Sequence, residues 1–579
     1  YISIVFGCGG ERDKPKRKMM GKIANSFCNK IYLTDDNPRS ENPSKIRNDI
    51  KKNINKSKLL EIPSRKKAIE KAILNLKSGD ILVVAGKGHE NYQEYKKKIF
   101  FSDKEFIIKN INKKNKYLSN DWKINTINEN LNGYKINNSN EINKISINSK
   151  EVKKNDLFIG LKGKNKNGNT YADDAIKNGA VFSIIDKYYS RKYINKKIKI
   201  KNSFKFFLKS ARNVREISNI NSIAITGSAG KTSLKELLGQ ALNKVNSTIS
   251  SKKSFNNKFG VPISLLNINK KNIFGVFEVG MDKKGEIDKL SKIIKPDIGI
   301  ITNISYAHIK NFKSIFKIAE AKSELIDNVV KNGIMVLNKD DLFFSYFKKK
   351  AEVNKLKIIS FSKKKPADIQ FIKSFKRKSL YSALIKINGI IKRFLINKEA
   401  ALYIENILAT IAVISNYTNI ENINKKIFLD FKIPTGRGNK IDCKIKFKRV
   451  KIIDESYNSN PLSLKFALEK FDNIKIHPDR KNILLGDMLE LGKFSKKLHI
   501  KIAKFINKSK VNKIYVYGKY VKYTFDKIKT QKKGKIFKNI SEIEDFIRND
   551  LSNNDYLMIK GSNATGLSKV ISKFNRRIV

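Results

Sequence analysis

Short apolar runs alternate with amphipathic segments at the start of the chain. The pattern predicts strands at 2–8, Lys30–Leu33 and Asp80–Ala85, and helices at 16–27 and 65–77. The first and last of these strands are predominantly apolar, which predicts that they are buried. Because strands and helices alternate, we expect a parallel sheet covered by helices.

The same alternation returns in later segments, so we predict an α/β chain with several domains. A polar segment at 110–120 predicts a linker, and Trp122, Ile124, Ile127 and Leu131 then follow at helical spacing. We place the domains at 1–109, 121–210, 211–430 and 431–579. The first and last domains share a pattern of strand, glycine turn and helix, as two copies of one domain type would.

Composition excludes several classes of protein. The chain has 579 residues, of which 40% are hydrophobic, so it can form several cores and is not wholly disordered. Its three cysteines, Cys8, Cys28 and Cys443, are too few for a disulfide scaffold and favour the reducing cytoplasm. No apolar run approaches the roughly 18–20 residues of a membrane span. The start has neither a signal peptide nor an initiator methionine, so we expect the sequence to begin partway through a longer protein.

The net charge is +68, from 121 Lys and Arg against 53 Asp and Glu. One interpretation is a basic, nucleic-acid-binding NTPase. The other is compositional drift, because Lys, Asn and Ile fill the segments between motifs and the charge follows the whole chain. Aromatic residues do not interleave with the charges as base stacking requires. We favour drift and expect no specific nucleic-acid partner.

A strand, a glycine-bearing loop and a helix start follow one another at 223–233, IAITGSAGKTS. Glycines let backbone N–H groups surround a phosphate, and the helix N-terminus adds the positive end of its dipole. The lysine of such a loop reaches the β- and γ-phosphates. Ile225 stands where the full pattern has glycine, and the alternative is an ordinary turn with a surface lysine. We predict nucleotide binding by Gly227, Ser228, Ala229, Gly230, Lys231, Thr232 and Ser233.

Two side chains that follow neighbouring strands are candidate Mg²⁺ ligands together with Thr232. Glu278 ends the apolar run Ile273–Phe277, and His308 follows the strand Ile298–Ile301. The carboxyl ends of parallel strands meet at a ligand crevice, which favours a shared site. The alternatives are an edge carboxylate and a surface histidine, and histidine is a less usual Mg²⁺ ligand than oxygen.

Lys322 falls in the apolar stripe of a helix predicted at Ser314–Val330. An ammonium group that faces a core is unfavourable unless it is paired or modified. The alternative is a lysine at the rim, whose stem is buried and whose ammonium reaches solvent. On the pattern alone the rim is the simpler interpretation.

Motifs from residue 122 onward occur in the order found in Mur ligases, and this part of the chain resembles the MurF type of that family. SYNSNP together with GDMLELG is typical of the MurF type and not of its sister ligases. The matching segments are ISINSKEV at 145–152, NDLFIGLKG at 155–163, TGSAGKTS at 226–233, SFNNKFGVP at 254–262, FEVGMDKKGEI at 277–287, TNISYAH at 302–308, AEAKSEL at 319–325, PTGRG at 434–438, IIDESYNSNP at 452–461, LLGDMLELG at 484–492 and IKGSNATG at 559–566.

The resemblance implies a three-domain α/β ligase with a small N-terminal domain, a central P-loop domain and a C-terminal Rossmann-like domain. It implies that D-alanyl-D-alanine is added to UDP-N-acetylmuramoyl-tripeptide through an acyl phosphate, with ATP and Mg²⁺. Lys231, His308 and a Lys322 carbamoylated by CO₂ would be its catalytic residues. We expect a monomer. Further implied contacts are Asn406, Arg437, Asp454 and Glu455 with ATP, and Ser149, Lys150, Asn256, Asn257, Asn458 and Asn460 with the other substrates.

Residues 1–109 resemble the C-terminal domain of a MurE-type Mur ligase, which adds meso-diaminopimelate. The matching segments are GCGGERDKPKR at 7–17, TDDNPRSENP at 34–43, AGKGHENYQ at 85–93 and FSDKE at 101–105. The resemblance implies an incomplete Rossmann-like domain, and a bifunctional fusion if a MurE-type half precedes Tyr1. An arginine on a proline-stiffened turn can clamp a carboxylate. The implied amino-acid site is Arg12, Asp36, Asn37, Pro38, Arg39, Gly86 and Glu90.

The chain departs from the family pattern at several positions. Ala400–Tyr403 replaces a Gly-x-His-Asn segment, Lys150 replaces an arginine, and Glu455 replaces a common aspartate. Alternatives to a MurF-type ligase are a folylpolyglutamate-synthase-like ligase, which SYNSNP and DMLELG oppose, the basic NTPase, and an inactive fusion.

Overall fold

The computed structural model describes residues 1–76, 80–88, 90–95, 97–118, 122–131, 133–136, 142–377, 380–445 and 447–575. Its first unit has a parallel sheet in the order β3-β2-β1-β4, covered by helices on both faces. The strands are β1 (Ile2–Phe6), β2 (Lys30–Leu33), β3 (Leu59–Glu61) and β4 (Ile81–Val84), followed by the hairpin β5 (Tyr92–Glu94) and β6 (Lys98–Phe100). The helices are α1 (Pro15–Phe27), α2 (Pro43–Lys51), α3 (Arg65–Asn75) and α4 (Asp103–Leu118).

The segment predicted as a linker, 110–120, is helical as far as Leu118 because it continues α4, and residues 119–121 lie outside the described residues. Charged groups fix this helix to α3. Arg65 Nη2 lies 2.6 Å from Asp103 Oδ2, and Lys114 Nζ donates to the carbonyl of Ile73 at 2.7 Å. This polar segment is therefore part of a helix that a salt bridge and a lysine hydrogen bond hold against α3. The sequence pattern did not distinguish such a helix from a loop.

The second unit is a small parallel sheet in the order β10-β9-β8-β7. Ile124, Ile127 and Leu131 are buried, as their spacing predicted. Helix α7 runs through the domain boundary that the sequence places at 210, and it packs against the third unit. The elements are α5 (Trp122–Asn128), β7 (Ile145–Ser146), β8 (Asp156–Ile159), α6 (Ala172–Lys177), β9 (Ala180–Ile185), β10 (Lys197–Lys199) and α7 (Ser203–Ile217).

The third unit has one sheet in the order β12-β13-β11-β14-β15-β16-β17-β18-β19, parallel as far as β17 and antiparallel beyond it. The strands are β11 (Asn221–Thr226), β12 (Thr248–Ser250), β13 (Phe274–Glu278), β14 (Ile298–Ile301), β15 (Ile334–Asn338), β16 (Lys357–Ser362), β17 (Ile369–Arg377), β18 (Leu380–Ile387) and β19 (Ile390–Ile396). The helices are α8 (Lys231–Asn243), α9 (Gly260–Leu266), α10 (Glu286–Ile294), α11 (Ile315–Asp327), α12 (Phe344–Val353) and α13 (Ile404–Ile414). The predicted phosphate loop and Glu278 lie at the carboxyl ends of the central strands β11 and β13.

The last unit has a sheet in the order β20-β21-β25-β22-β23-β24, with only β20 antiparallel to its neighbour among the described strands. The strands are β20 (Asn439–Ile445), β21 (Lys448–Glu455), β22 (Lys481–Gly486), β23 (Ile514–Tyr517), β24 (Lys533–Phe537) and β25 (Tyr556–Lys560). The helices are α14 (Pro461–Asp472), α15 (Ser495–Lys508), α16 (Lys522–Lys527), α17 (Ile540–Asn549) and α18 (Leu567–Asn575). No helix in the described ranges is both long and apolar enough to span a bilayer.

The first and last units share a strand order but differ at one edge. Chain order and pairing of β1 to β4 match those of β22 to β25. In the last unit, β21 and β20 continue the sheet beyond β25, whereas β4 ends the first sheet. Ile81 and Val83 on β4 are 57% and 42% exposed, so the prediction of a buried strand there was wrong. The α/β class itself is confirmed in every unit.

Asp103→Ala should destabilise the first unit by about 3–5 kcal/mol, because it leaves the buried guanidinium of Arg65 without its carboxylate. Hydrogen exchange of α3 and α4 in the full chain measures this loss. Glu352→Ala, which removes an exposed ion pair with Lys348, is the control and should cost less than about 1 kcal/mol. Unchanged protection of α3 in Asp103→Ala would contradict the role given to this pair.

Candidate active site

The turn between β11 and α8 has the backbone of a phosphate-binding loop. Gly227 and Gly230 have φ angles of 150° and 81°, conformations that L side chains rarely adopt. A Cβ on Gly227 would also collide with Oγ1 of Thr302. Gly230 is the N-cap of α8 and Lys231 is its first residue, so the first turn presents its backbone N–H groups at the end of the loop.

The loop that follows β14 holds the other loop residues in place. The N–H groups of Ser228 and Ala229 donate to the carbonyl and side-chain oxygens of Asn303, at 2.8 Å and 2.9 Å. Ser305 N–H donates to Ser228 Oγ at 2.8 Å. Ser233 is buried in the first turn of α8. The phosphate loop is thus fixed to the neighbouring strand end.

Thr232 and Glu278 meet beside this loop. Thr232 Oγ1 donates to Glu278 Oε2 at 2.8 Å, and Ser254 Oγ lies 3.1 Å from the same hydroxyl. The other carboxylate oxygen accepts from Asn256 Nδ2 at 2.8 Å. Glu278 ends β13 and is 1% exposed. A buried carboxylate with adjacent hydroxyl oxygens is a hard-oxygen donor set of the kind that suits Mg²⁺.

Two lysines lie near each other, of which Lys231 is half-buried and Lys322 is buried. Lys231 Nζ donates to the carbonyl of Gly227 at 2.7 Å, and burial lowers the pKa of Lys231 despite the nearby carboxylate of Glu278. Lys322 on α11 is 1% exposed, and burial together with the charge of Lys231 holds its pKa well below the usual value. The rim alternative for Lys322 is therefore wrong. A lowered pKa favours the neutral amine, which is the nucleophilic form of lysine.

His308 lies between two carboxylates. Its Nδ1 is 2.8 Å from Oε2 of Glu490 and 3.1 Å from Oδ1 of Asp282, and it lies between the two carboxylates without being aligned on either. Burial lowers the pKa of His308, but the two carboxylates outweigh burial and place it above its ordinary value. His308 lines the same cavity as Thr232 and Glu278, so the structure brings the predicted metal ligands together.

This cavity, of about 640 Å³, lies between the third and last units. Arg437 Nη2 donates to Thr232 Oγ1 at 3.2 Å, and its guanidinium lies 4.3 Å from the centre of the Tyr457 ring. Asn460 caps α14 and donates from Nδ2 to the carbonyl of Ser228 at 3.3 Å. The predicted substrate residues Asn256, Asn257, Asn458 and Asn460 all line the cavity.

Three other predicted nucleotide contacts, Asn406, Asp454 and Glu455, are not among the residues that line the cavity. Asn406 is beside Gly230, where an added Cβ would be 3.7 Å from its Oδ1. Asp454 accepts from the N–H and the hydroxyl of Ser456, and Glu455 accepts from Lys560 at 3.3 Å. Asp454 and Glu455 are buried and already have protein partners.

Tyr403, in the segment that departs from the family pattern, joins the third and last units. Its hydroxyl donates to the carbonyl of Arg437 at 2.6 Å. The ammonium of Lys470 on α14 lies 3.6 Å from the centre of its ring, an attractive cation–π contact. The departure thus supplies an aromatic contact between units.

Ser149 and Lys150 are not part of the main cavity. Ser149 is buried and its carbonyl accepts from Asn178 at 3.0 Å, whereas Lys150 is exposed. Their neighbours Asn148 and Glu151 line a second cavity, of about 560 Å³, between the second and third units.

In the first unit, Asp36, Asn37, Gly86 and Glu90 lie together at the carboxyl end of the sheet. Asn37 Nδ2 donates to Glu90 Oε2 at 2.7 Å, and a Cβ on Gly86 would be 2.7 Å from Asp36 Oδ2. Asp36 Oδ1 has no hydrogen-bond partner among the described residues, and burial raises the pKa of Asp36. Asp36 and Asn37 are buried, Glu90 is half-buried, and the cluster is only partly satisfied by hydrogen bonds.

The remaining predicted residues of that site lie on the adjoining turn. Arg39 has a left-handed backbone (φ 53°) and donates from Nη1 to the carbonyl of Gly10 at 2.6 Å. Its Nε is 3.4 Å from Glu94 Oε2. Pro38 is buried and Arg12 is exposed. Arg39 is therefore already engaged by protein groups.

Comparison with known families accounts for each unit. The family described as Mur ligase family, catalytic domain, matches residues 141–214, and the Mur ligase middle domain matches 225–414. The Mur ligase, glutamate ligase domain, matches both 1–88 and 436–563. The chain belongs to the Mur ligase family. The double match confirms that the first and last units are copies of one domain type.

Among Mur ligases, the UDP-N-acetylmuramoyl-tripeptide–D-alanyl-D-alanine ligase of Rickettsia prowazekii is 34% identical over 458 residues, which are 76% of this chain and 97% of that protein. The crystal structure of MurF from Acinetobacter baumannii superposes with a TM-score of 0.66 at 23% identity, over 78% of this chain and 98% of that one. The structural likeness confirms the three-domain Mur ligase fold.

The first unit is similar to a different Mur ligase. The UDP-N-acetylmuramoyl-L-alanyl-D-glutamate–2,6-diaminopimelate ligase of Rickettsia typhi is 52% identical over 109 residues, which are 19% of this chain and 22% of that protein. The likeness thus spans about a fifth of that relative's length.

Sequence reasoning missed Ser254, Asp282, Tyr457 and Glu490, which line the cavity or contact His308. All of them lie inside motifs that carry the resemblance to Mur ligases. A motif does not show which of its side chains faces the site. Ser254, Asp282 and Tyr457 stand within four residues of Asn256, Glu278 and Asn458, and this proximity was the signal that could have found them.

Proposed function

We propose that this chain is an ATP-dependent ligase that joins D-alanyl-D-alanine to the terminal carboxylate of UDP-N-acetylmuramoyl-tripeptide. The observation that carries the proposal is the 34% identity over 97% of a relative that bears this name. The main cavity supports it, since it combines a phosphate loop, the cations of Lys231 and Arg437 and the carboxylate of Glu278. We also propose that the ligase acts as a monomer in the cytoplasm, where its free cysteines stay reduced.

The proposed reaction has two steps. The carboxylate of the tripeptide attacks the γ-phosphorus of ATP, which gives an acyl phosphate and ADP. The amine of D-alanyl-D-alanine then attacks the acyl carbon, the C–N bond forms as the C–O bond to phosphate breaks, and the amine loses a proton. The protein's task is to position the reactants and offset their charge.

The residues of the cavity divide this task. The first turn of α8 offers N–H groups and Lys231 an ammonium to the phosphates. Arg437, which already contacts Thr232 across the cavity, adds a guanidinium from the last unit. The amide side chains of Asn458 and Asn460 are suited to peptide groups of the substrates.

Thr232, Glu278 and His308 fit a Mg²⁺ site. Glu278 and the Thr232 hydroxyl supply oxygen donors, and a proton on Nδ1 of His308 leaves a lone pair on Nε2. Bound Mg²⁺ would offset the charge of the transferring phosphoryl group. Asn256 keeps the carboxylate of Glu278 oriented.

We further propose that CO₂ carbamoylates Lys322. The neutral amine adds to the carbon of CO₂, an N–C bond forms, and loss of a proton leaves a carbamate anion. Burial lowers the pKa of Lys322 and so favours the reactive neutral form. The anion would attract Lys231, where an ammonium would repel it.

Lys231→Ala should lower D-alanyl-D-alanine-dependent phosphate release by about 10²–10³-fold, since the phosphates lose their main side-chain cation. The assay supplies ATP, Mg²⁺ and UDP-N-acetylmuramoyl-tripeptide, and mass spectrometry identifies the product. Lys271→Ala, an exposed lysine of the same unit, is the control. Near-normal turnover in Lys231→Ala would reject the role of the loop. A wild-type chain that releases phosphate only with nucleic acid would reject the function.

Lys322→Ala should fold but ligate poorly, and formate or acetate should partly restore the rate by filling the space of the carbamate. Removal of CO₂ from the buffer should slow the wild-type enzyme and leave the variant unchanged. Circular dichroism and thermal unfolding establish that the variant is folded. A folded variant with normal turnover would refute the carbamate.

The chain should not add diaminopimelate to UDP-N-acetylmuramoyl-dipeptide at its first unit. The phosphate loop that ends at Lys231 belongs to the third unit, and residues 1–109 contain no second GxxGK[ST] sequence. The assay is diaminopimelate-dependent phosphate release by the Lys231→Ala variant, in which the phosphate loop of the third unit is disabled. Release above background would show independent ligation.

A further inference from the structure

Glu490 reaches His308 from a different unit of the molecule. Glu490 lies after β22 of the last unit, whereas His308 follows β14 of the third. Glu490 Oε2 is nevertheless only 2.8 Å from His308 Nδ1. We propose that Glu490 is a positioning residue that fixes the ring of His308, so that the metal-ligand set is complete only when the last unit contacts the third. The inference rests on the role proposed above for His308.

The backbones of the two loops are joined as well. Lys310 N–H donates to the carbonyl of Glu490 at 3.0 Å. A Cβ on Gly492 would be 3.1 Å from Lys310 Cα, so only glycine allows this close approach. Glu490 and His308 both have left-handed backbones, with φ of 66° and 59°. Such conformations are unfavourable for non-glycine residues and persist where the surrounding structure holds them.

The core of the last unit determines where Glu490 lies. Met488 N–H donates to His499 Nε2 at 3.1 Å, and Leu489 N–H donates to Ser562 Oγ at 2.9 Å. The carboxylate of Asp487 accepts the N–H groups of residues 519–521 at 2.7–3.0 Å. Hydrogen bonds to several elements of the last unit therefore hold the loop that carries Glu490.

The chemistry of histidine ligands gives this contact its function. A ligating histidine commonly donates its other ring N–H to a carboxylate, which fixes both the tautomer and the ring orientation. Glu490 and Asp282 both lie at Nδ1 of His308, which leaves Nε2 for a ligand. Asp282 belongs to the same unit as His308, so only Glu490 makes the ring orientation depend on contact between the units.

The first readout is the tautomer of His308 in the full chain labelled with ¹⁵N-histidine, recorded at a pH at which the ring is neutral. The chain has four histidines, and His308→Gln assigns the signal. His499 is an internal reference, because its Nδ1 is 2.8 Å from the carbonyl of Ser495 while Nε2 accepts from Met488. We expect the Nδ1–H tautomer for His308, a mixture with the Nε2–H form in Glu490→Ala, and recovery in Glu490→Gln, whose amide oxygen still accepts.

The second readout is the affinity for Mn²⁺ in the presence of a non-hydrolysable ATP analogue. Glu490→Ala should weaken binding by about 10-fold or more, as the loss of a carboxylate behind a ligating histidine does elsewhere, and Glu490→Gln should recover part of it. Asp479→Ala is the matched control, because it removes an exposed carboxylate 3.2 Å from Nδ1 of His477. It should alter only the His477 signal.

An unchanged His308 tautomer and unchanged Mn²⁺ affinity in Glu490→Ala would overturn the proposal, as would a Glu490→Gln variant no better than Glu490→Ala. The other histidine signals report whether each variant is folded. The tautomer readout requires no turnover. Failure of the wild type to ligate D-alanyl-D-alanine would therefore reject the proposed function separately from this inference.

Discussion

Clustered positive charge is the constraint on which this site depends. Lys231 and Lys322 are close together, and burial lowers the pKa of each. Arg437 adds a further cation from the last unit, while Glu278 is the nearby carboxylate that partly offsets them. Charges repel strongly where water is excluded, so such a site gains from anions. Phosphates of a nucleotide, and a carbamate on Lys322, would supply them.

Contact between units is the second requirement, because neither the third nor the last unit forms the cavity alone. Strands of both units end at it, and Arg437 and Asn460 reach from the last unit to the phosphate loop. Tyr403 with Lys470 and Glu490 with His308 add contacts on either side. The positions of the side chains around the cavity therefore depend on how the third and last units contact each other.

The first unit shows what a repeated fold keeps and what it lacks. It repeats the strand order β22 to β25 and holds a buried polar cluster around Asp36 and Asn37 at the carboxyl end of its sheet. The described residues of the unit provide no counterpart of the β20–β21 hairpin, so β4 forms an edge. The copy therefore keeps the strand order and a polar cluster at the carboxyl end of its sheet.

Local pattern was enough to predict the phosphate loop, the place of Glu278 at a strand end and the apolar phase of Lys322, because each depends on residues close in sequence. The motifs of the Mur ligase family identified the units and most cavity residues. Only the tertiary structure decided the burial of Lys322, the carboxylates beside His308, the exposed edge of β4, the helix at 103–118 and the distance of Lys150 from the main cavity. These features depend on which distant segments pack together, and periodicity along the chain carries no information about such contacts.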